Sequence, residues 1–205
     1  QARPLPAPLA DYRPPSIDAY NALLEQLGFA ELLAARDVGS AAEVITTAEQ
    51  LEPNACIYPV LEDDGELVGI AMPGAYVPKT SAAWPELARW LASDAPKVGF
   101  DLLAARVAIP ELAGITGDAQ CCSHLLQPSN WAPHDLDVVA KHALGKAMPD
   151  DDSIRGVGKQ RKAWRDLPPD QTARATGYRA EIAAALWDKL SPDVDRAQLA
   201  EYLEL

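Results

Sequence analysis

Cysteine is scarce in this chain: Cys56, Cys121 and Cys122 are the whole supply, and two of the three are adjacent. Neighbouring cysteines rarely bridge each other and an odd one would be left over, which excludes a disulfide framework and points to a reducing, cytoplasmic compartment. Long apolar runs are missing too. No stretch approaches the roughly 20 residues that a membrane-spanning helix needs, and the mean hydropathy is -0.13. Positive charge is in deficit, with 18 Lys and Arg against 30 Asp and Glu, a formal net charge of -12 and a pI ≈ 4.6. Such a surface as a whole repels a phosphate backbone, so any nucleic-acid contact has to be local.

Recognisable metal and nucleophile motifs are also wanting. Cys121, Cys122 and His124 lack a fourth zinc ligand at a usual spacing, and adjacent cysteines reach one tetrahedral ion poorly; buried thiols are the economical reading. His134 and His142 have no partner nucleophile from which a triad could be assembled, so His134 reads as a helix-start residue and His142 as surface. The segment Arg155-Gly-Val-Gly-Lys159 has two glycines and a lysine but not the strand, spacing and helix of a phosphate loop. Internal repeats are absent.

What is present is an ordinary globular composition, 48% hydrophobic and 23% charged over 205 residues, enough for one domain with a real core. Pro4, Pro6, Pro8, Pro14 and Pro15 make residues 1–15 an extended interdomain linker. With Gln1 in first place and no leader of signal-peptide type, the chain reads as a piece of something longer. From Ser16 to about residue 40 two short helical runs follow, one through Tyr20, Leu24 and Leu27 and one through Leu32 and Leu33. Then come β-leaning runs at 44–46, 55–61 and 67–72, with the acidic turn Glu62-Asp63-Asp64-Gly65 between the last two. A helix through Trp84, Leu87 and Leu91 behind Ser81, a strand at 96–99, a helix capped by Asp101, a strand near 112–116, helices at 118–126 and 134–144, and a long helix from about 171 to 190 complete the pattern. The expected class is α/β, a mixed sheet of about five strands flanked by helices.

Several segments carry a resemblance in a consistent order. They are Leu67–Met72 with Ala75–Pro78, Lys97–Ile109, Gly114–Pro128, His134–Gly145, Arg155–Lys159 and Arg174–Leu190. Together they resemble the 3′ to 5′ exonuclease domain of bacterial DNA polymerase I, the family A DNA polymerases, whose fold is ribonuclease H-like. The resemblance spans nearly the whole of residues 16–205. It departs between residues 47 and 55, where the family fits a helix and only a trimmed one can be accommodated.

The resemblance also implies chemistry. The family's exonuclease holds two divalent metals on four carboxylates, with a tyrosine orienting the attacking water. In this chain the corresponding positions read Pro59 and Leu61 on the first strand of the hairpin, Ala105 after the central strand, and Ala175 and Arg179, at i and i+4, on the long helix. None of these can ligate a metal, and Arg179 would repel one. The expectation is a catalytically inactive, vestigial exonuclease domain that binds no cofactor and scaffolds the polymerase domain of the same parent, a bacterial, cytoplasmic enzyme of DNA replication and repair. A monomer without membrane association is expected. One alternative is a surviving Mg2+- or Mn2+-dependent exonuclease with ligands recruited from Glu62, Asp63, Asp64 and Asp101, although the first three read as a solvated turn and Asp101, like Asp118, as an N-cap. Glu181, two residues past Arg179, points to another face and substitutes poorly. Another alternative is a DNA- or protein-binding module. Arg155, Lys159, Arg161, Lys162 and Arg165 form a basic run without an acid and are the candidates for touching DNA, unless they balance Asp150, Asp151 and Asp152. Trp164 within the run could stack on a base or anchor the loop to the core.

Overall fold

The computed structural model describes residues 16–29, 41–128 and 133–203. The proline-rich linker and the second short helical run around Leu32 and Leu33 lie outside the described residues.

A single mixed sheet organises the chain. Its strands are β1 (Glu43–Val44), β2 (Cys56–Leu61), β3 (Leu67–Met72), β4 (Ala75–Pro78), β5 (Lys97–Gly99) and β6 (Ile115–Asp118), in the spatial order β1-β4-β3-β2-β5-β6. The β2–β3 and β3–β4 pairs are antiparallel; β1–β4, β2–β5 and β5–β6 are parallel. This is the mixed α/β sheet that the sequence pattern implied, consistent with the ribonuclease H-like fold that the resemblance implied, with six strands where about five were expected. Seven helices are described: α1 (Ile17–Leu27), α2 (Trp84–Leu91), α3 (Leu102–Ala108), α4 (Ala119–Leu126), α5 (Leu136–Leu144), α6 (Asp151–Arg155) and α7 (Pro169–Arg196). None of them is long and apolar enough to cross a membrane.

The alternation of side chains along β2 decides what each face of the sheet carries. Ile57 and Leu61 point to the side where Ile70, Met72 and Val77 meet Leu87 and Leu91 of α2 and Leu102 of α3. Cys56, Tyr58 and Val60 point to the other, which α7 covers with Ile182, Leu186, Ala173 and Ala180, and α5 with Val139 and Ala140. Pro59 sits in this central strand without disrupting it. Ala55 accepts its bond from Val98 of β5, so the backbone of residue 59, four positions on, faces the same side, where pairing with β5 has already ended at Ile57. The missing N–H of proline falls at an open ladder position.

Several boundaries differ from the sequence pattern, each for a local reason. The helix expected between β1 and β2 is a single turn of 3-10 helix, Ala48–Gln50, held by Thr47 and Gln50 in a capping box. β6 starts at Ile115 because Leu112 closes a turn onto Ile109 and Gly114 turns the chain at φ 67. α5 starts at Leu136, with Asp135 rather than His134 at its N-cap. Ser81 lies ahead of α2, accepting from Ala83 N at 3.0 Å while donating to Ile45 O at 2.8 Å, so one hydroxyl joins two elements. α7 runs past Leu190 and through Pro192 to Arg196, because Val194 is fully buried against Cys122 of α4 and that packing offsets the helix bond proline removes.

At Gly117 of β6 the Trp187 indole of α7 lies directly against the strand; a Cβ built there would stand 2.0 Å from the ring. Gly117→Ala is therefore expected to destabilise the fold by about 1–3 kcal/mol, the cost of overpacking a filled core. Pairing it with Trp187→Leu should recover part of the loss, as measured by urea unfolding.

Candidate functional site

The ends of β2 and β5 open into a cleft of about 260 Å3 between α3, the N-terminus of α5, α6 and α7. Four of the five positions that the resemblance assigns to the metal site meet there: Pro59, Leu61, Ala105 and Arg179 all line it. The fifth, Ala175, lies one turn before Arg179 on α7 and packs instead against the buried cluster that includes Trp164 and Leu167.

The cleft is dominated by a cation. The Arg179 side chain is 14% exposed and pairs with Asp151 of α6, and its guanidinium carbon stands 5.4 Å from the centre of the Trp164 ring. Burial works against its charge, but Tyr58 and Asp151 outweigh that and raise its pKa, so Arg179 remains a cation under all ordinary conditions.

The acidic turn does more than face solvent. Glu62 is buried, and its carboxylate accepts from Trp164 N at 3.0 Å, Arg165 N at 2.9 Å and Arg165 Nε at 3.2 Å. Arg155, also buried, lies 3.6 Å from Glu62 and forms a two-pronged pair with Asp63 at 2.8 and 3.1 Å. Its Nε donates to Lys162 O at 2.9 Å. Arg161 bonds Asp152 and reaches Asp63 at 3.4 Å. Trp164, at 3% exposure, is thereby held over the cleft beneath two guanidiniums, Arg155 at 5.3 Å being the second.

These contacts revise two expectations. The turn reading holds for Asp64, which accepts from Glu66 N, but Glu62 is a buried hub, and Glu62 and Asp63 are consumed by arginines rather than offered to a metal. Among the described residues no three His, Cys, Asp or Glu side chains are grouped to hold an ion. Of the basic run, Arg155 is withdrawn from the DNA-facing candidates because its guanidinium is buried and engaged by acids, and Arg161 serves the same acids. Lys159 and Lys162 are exposed and make no ion pair with a described residue, while Arg165 is 49% exposed and shared with Glu62 and Glu66. Trp164 anchors the loop and presents no face to a base.

Asp101 and Asp118 are caps. Asp101 adopts φ 56 and accepts from Ala104 N at 3.3 Å. Asp118, 1% exposed, accepts from Asp101 N, Leu102 N, Gln120 N and Cys121 N, at 3.2, 2.6, 2.7 and 3.4 Å, and so holds the starts of α3 and α4 together. Burial pushes its pKa up against these four donors. Burial also raises the Cys121 thiol to about 11 and those of Cys56 and Cys122 to about 12, which leaves them inert at neutral pH. The glycines of the 155–159 segment turn at φ 87 and φ 55 and send Arg155 inward.

Comparison with known proteins returns a likeness of fold. No family model matches the sequence, and no curated protein matches it. Among solved structures the chain is similar to the POL domain of Pol1 from M. smegmatis in complex with DNA primer-template and dNTP, at a TM-score of 0.50 and 20% identity. The match covers 67% of this chain and 23% of that one, so the chain spans under a quarter of the polymerase it resembles.

Removing one member of the buried network strands the others. Glu62→Ala would leave two backbone donors unsatisfied and Arg155 short of an anion, an expected loss of about 3 kcal/mol in chemical denaturation. Asp63 makes a pH prediction. Hydrogen bonds from Arg155 and Arg161 hold its carboxyl below the usual carboxylate range. A depressed folded pKa contributes stability that is present above the unfolded value of about 3.9 and is lost as pH falls through the folded one. Asp63→Asn is expected to flatten stability against pH below about pH 4 without changing its course near neutrality, as read from thermal unfolding across an acid series.

Proposed function

We propose that this chain is the 3′ to 5′ exonuclease-like domain of a bacterial family A DNA polymerase, catalytically silent and retained as a scaffold for the polymerase domain that follows it in the parent protein. The fold likeness to part of a Pol1 chain supports the parentage, and one observation carries the loss of activity. Where the family would hold metal ions, the cleft holds the Arg179 guanidinium, fixed by Asp151 and Trp164.

The chemistry follows from the donor set. Two-metal phosphodiester cleavage needs hard oxygen ligands that bring both ions to the scissile phosphate. Pro59, Leu61 and Ala105 supply no oxygen from their side chains, and the charge of Arg179 opposes any divalent ion placed beside it. The residues present therefore do not fit the metal pair. What they do well is wall the cleft: an ion pair, an indole and a proline-stiffened strand end line it where a metal site would be acid-lined and, without its ions, self-repelling. A rigid wall of this kind suits a module whose task is to hold its neighbour in place, working in the cytoplasm on the nucleoid as part of the parent enzyme.

A second reading, a local DNA contact, is favoured by the exposure of Lys159 and Lys162 beside the half-exposed Arg165. It would appear as weak, salt-sensitive affinity for single strands, with each neutralised lysine reducing the salt slope by about 0.7.

The deciding experiment incubates the purified chain with a 3′-labelled single strand in Mg2+ and then Mn2+, with a chelator control and a carboxylate-intact family member alongside. No metal-dependent shortening is expected, and Arg179→Asp alone should not create any while lowering the melting temperature, since it sets two carboxylates against each other at Asp151. Shortening that follows the chain through purification would overturn the proposal.

A further inference from the structure

A second cavity, of about 480 Å3, lies between α4, α5 and α7 and has no part in the exonuclease-like reading. Leu190 in its wall is eleven residues beyond Arg179 on α7, roughly 16 Å further along the helix axis at 1.5 Å per residue. The volume is within the range of about 300–1,000 Å3 typical of small-molecule sites.

Its lining is apolar at the walls and selectively charged at the rim. Leu126 of α4, Val138, Val139 and Ala143 of α5, and Leu190 of α7 form the walls. One side is pinned by Ser123 Oγ and His134 Nδ1, 2.8 Å apart, with the His134 ring stacked on His124 at 3.7 Å. At the rim Asp193, one turn of α7 beyond Lys189, pairs with Arg196 at 2.5 Å. Lys189 is exposed, lines the cavity and makes no ion pair with a described residue. The exposed imidazole of His142 stands on the same lining and supplies a further polar group.

An apolar recess whose mouth offers an ammonium that makes no ion pair with a described residue is complementary to an amphiphilic anion. We propose that this cavity binds a small amphiphilic carboxylate, its apolar body against Val138, Val139 and Leu190 and its carboxylate on the Lys189 ammonium beside His142. The ammonium selects the anion, because a charge-assisted hydrogen bond is about twice as strong as a neutral one. The helical walls select length and bulk.

The test titrates the full chain with octanoate, and with octanol as the uncharged probe of equal length, following the methyl resonances of Leu126, Val138, Val139 and Leu190 by NMR. Octanoate is expected to shift these methyls saturably as a single site and to bind about tenfold more tightly than octanol. Lys189→Gln, an exposed change, should remove that advantage and leave octanol affinity unchanged. Val138→Phe should fill the recess and abolish both, with circular dichroism reporting that the fold is kept. Absence of saturable shifts, equal affinity for the two probes, or octanoate affinity indifferent to Lys189→Gln would each overturn the proposal; the lysine variant decides it even if the valine variant fails to fold.

Discussion

The buried carboxylate of Glu62 is the contact on which the rest of the cleft depends. A charged group at 7% exposure is costly unless its lone pairs are taken up, and here two backbone N–H groups and two arginines take them. Those partners all come from one stretch of chain, residues 155–165, so satisfying Glu62 ties the β2–β3 turn to the loop in front of α7 across about a hundred residues of sequence. Once that loop is fixed, Trp164 has one place to go. Its indole then provides the surface over which Arg155 and Arg179 settle, and Asp151 and Asp63 balance their charge.

Under the proposed reading, this arrangement lets a site give up its chemistry and keep its shape. A cluster of metal-binding carboxylates is held together by its metals; without them the like charges repel. The proline, leucine, alanine and aspartate-paired arginine that line this cleft need no ion to hold them together. A buried ion pair is weak evidence for net stability, since desolvation offsets much of the attraction, but its geometry specifies one arrangement of α6, α7 and the loop. Asp118 plays the corresponding part on the far side of the cleft, where one carboxylate serves the first turns of two helices. The two acids work alike in part: each is buried, and each accepts from backbone donors outside its own turn.

Much of this was legible beforehand. The antiparallel hairpin was announced by two apolar runs flanking an acidic turn with glycine, and the caps Asp101 and Asp118 by their places ahead of helical patterns. The balance of Arg155 and Arg161 against Asp151 and Asp152 was visible as an open alternative. The burial of Glu62 was not, because a Glu-Asp-Asp-Gly turn has the composition of a solvated loop and local pattern carries no trace of a partner so far along the chain. The only sequence signal was indirect, an apolar Trp164 and Leu167 inside a basic run, which marks a loop that must turn inward.

Sequence alone therefore determined most of the elements and their α/β class, since periodicity and capping are local properties. The tertiary structure decided which charges meet. It took three residues from an acidic turn and gave one to the interior, took five basic residues and left two lysines free of ion pairs among the described residues, and set Pro59, Leu61, Ala105 and Arg179 around one cleft. Pairing across long chain separations depends on the folded path of the backbone, and burial, which sets the strength of every such pair, exists only once that path is complete.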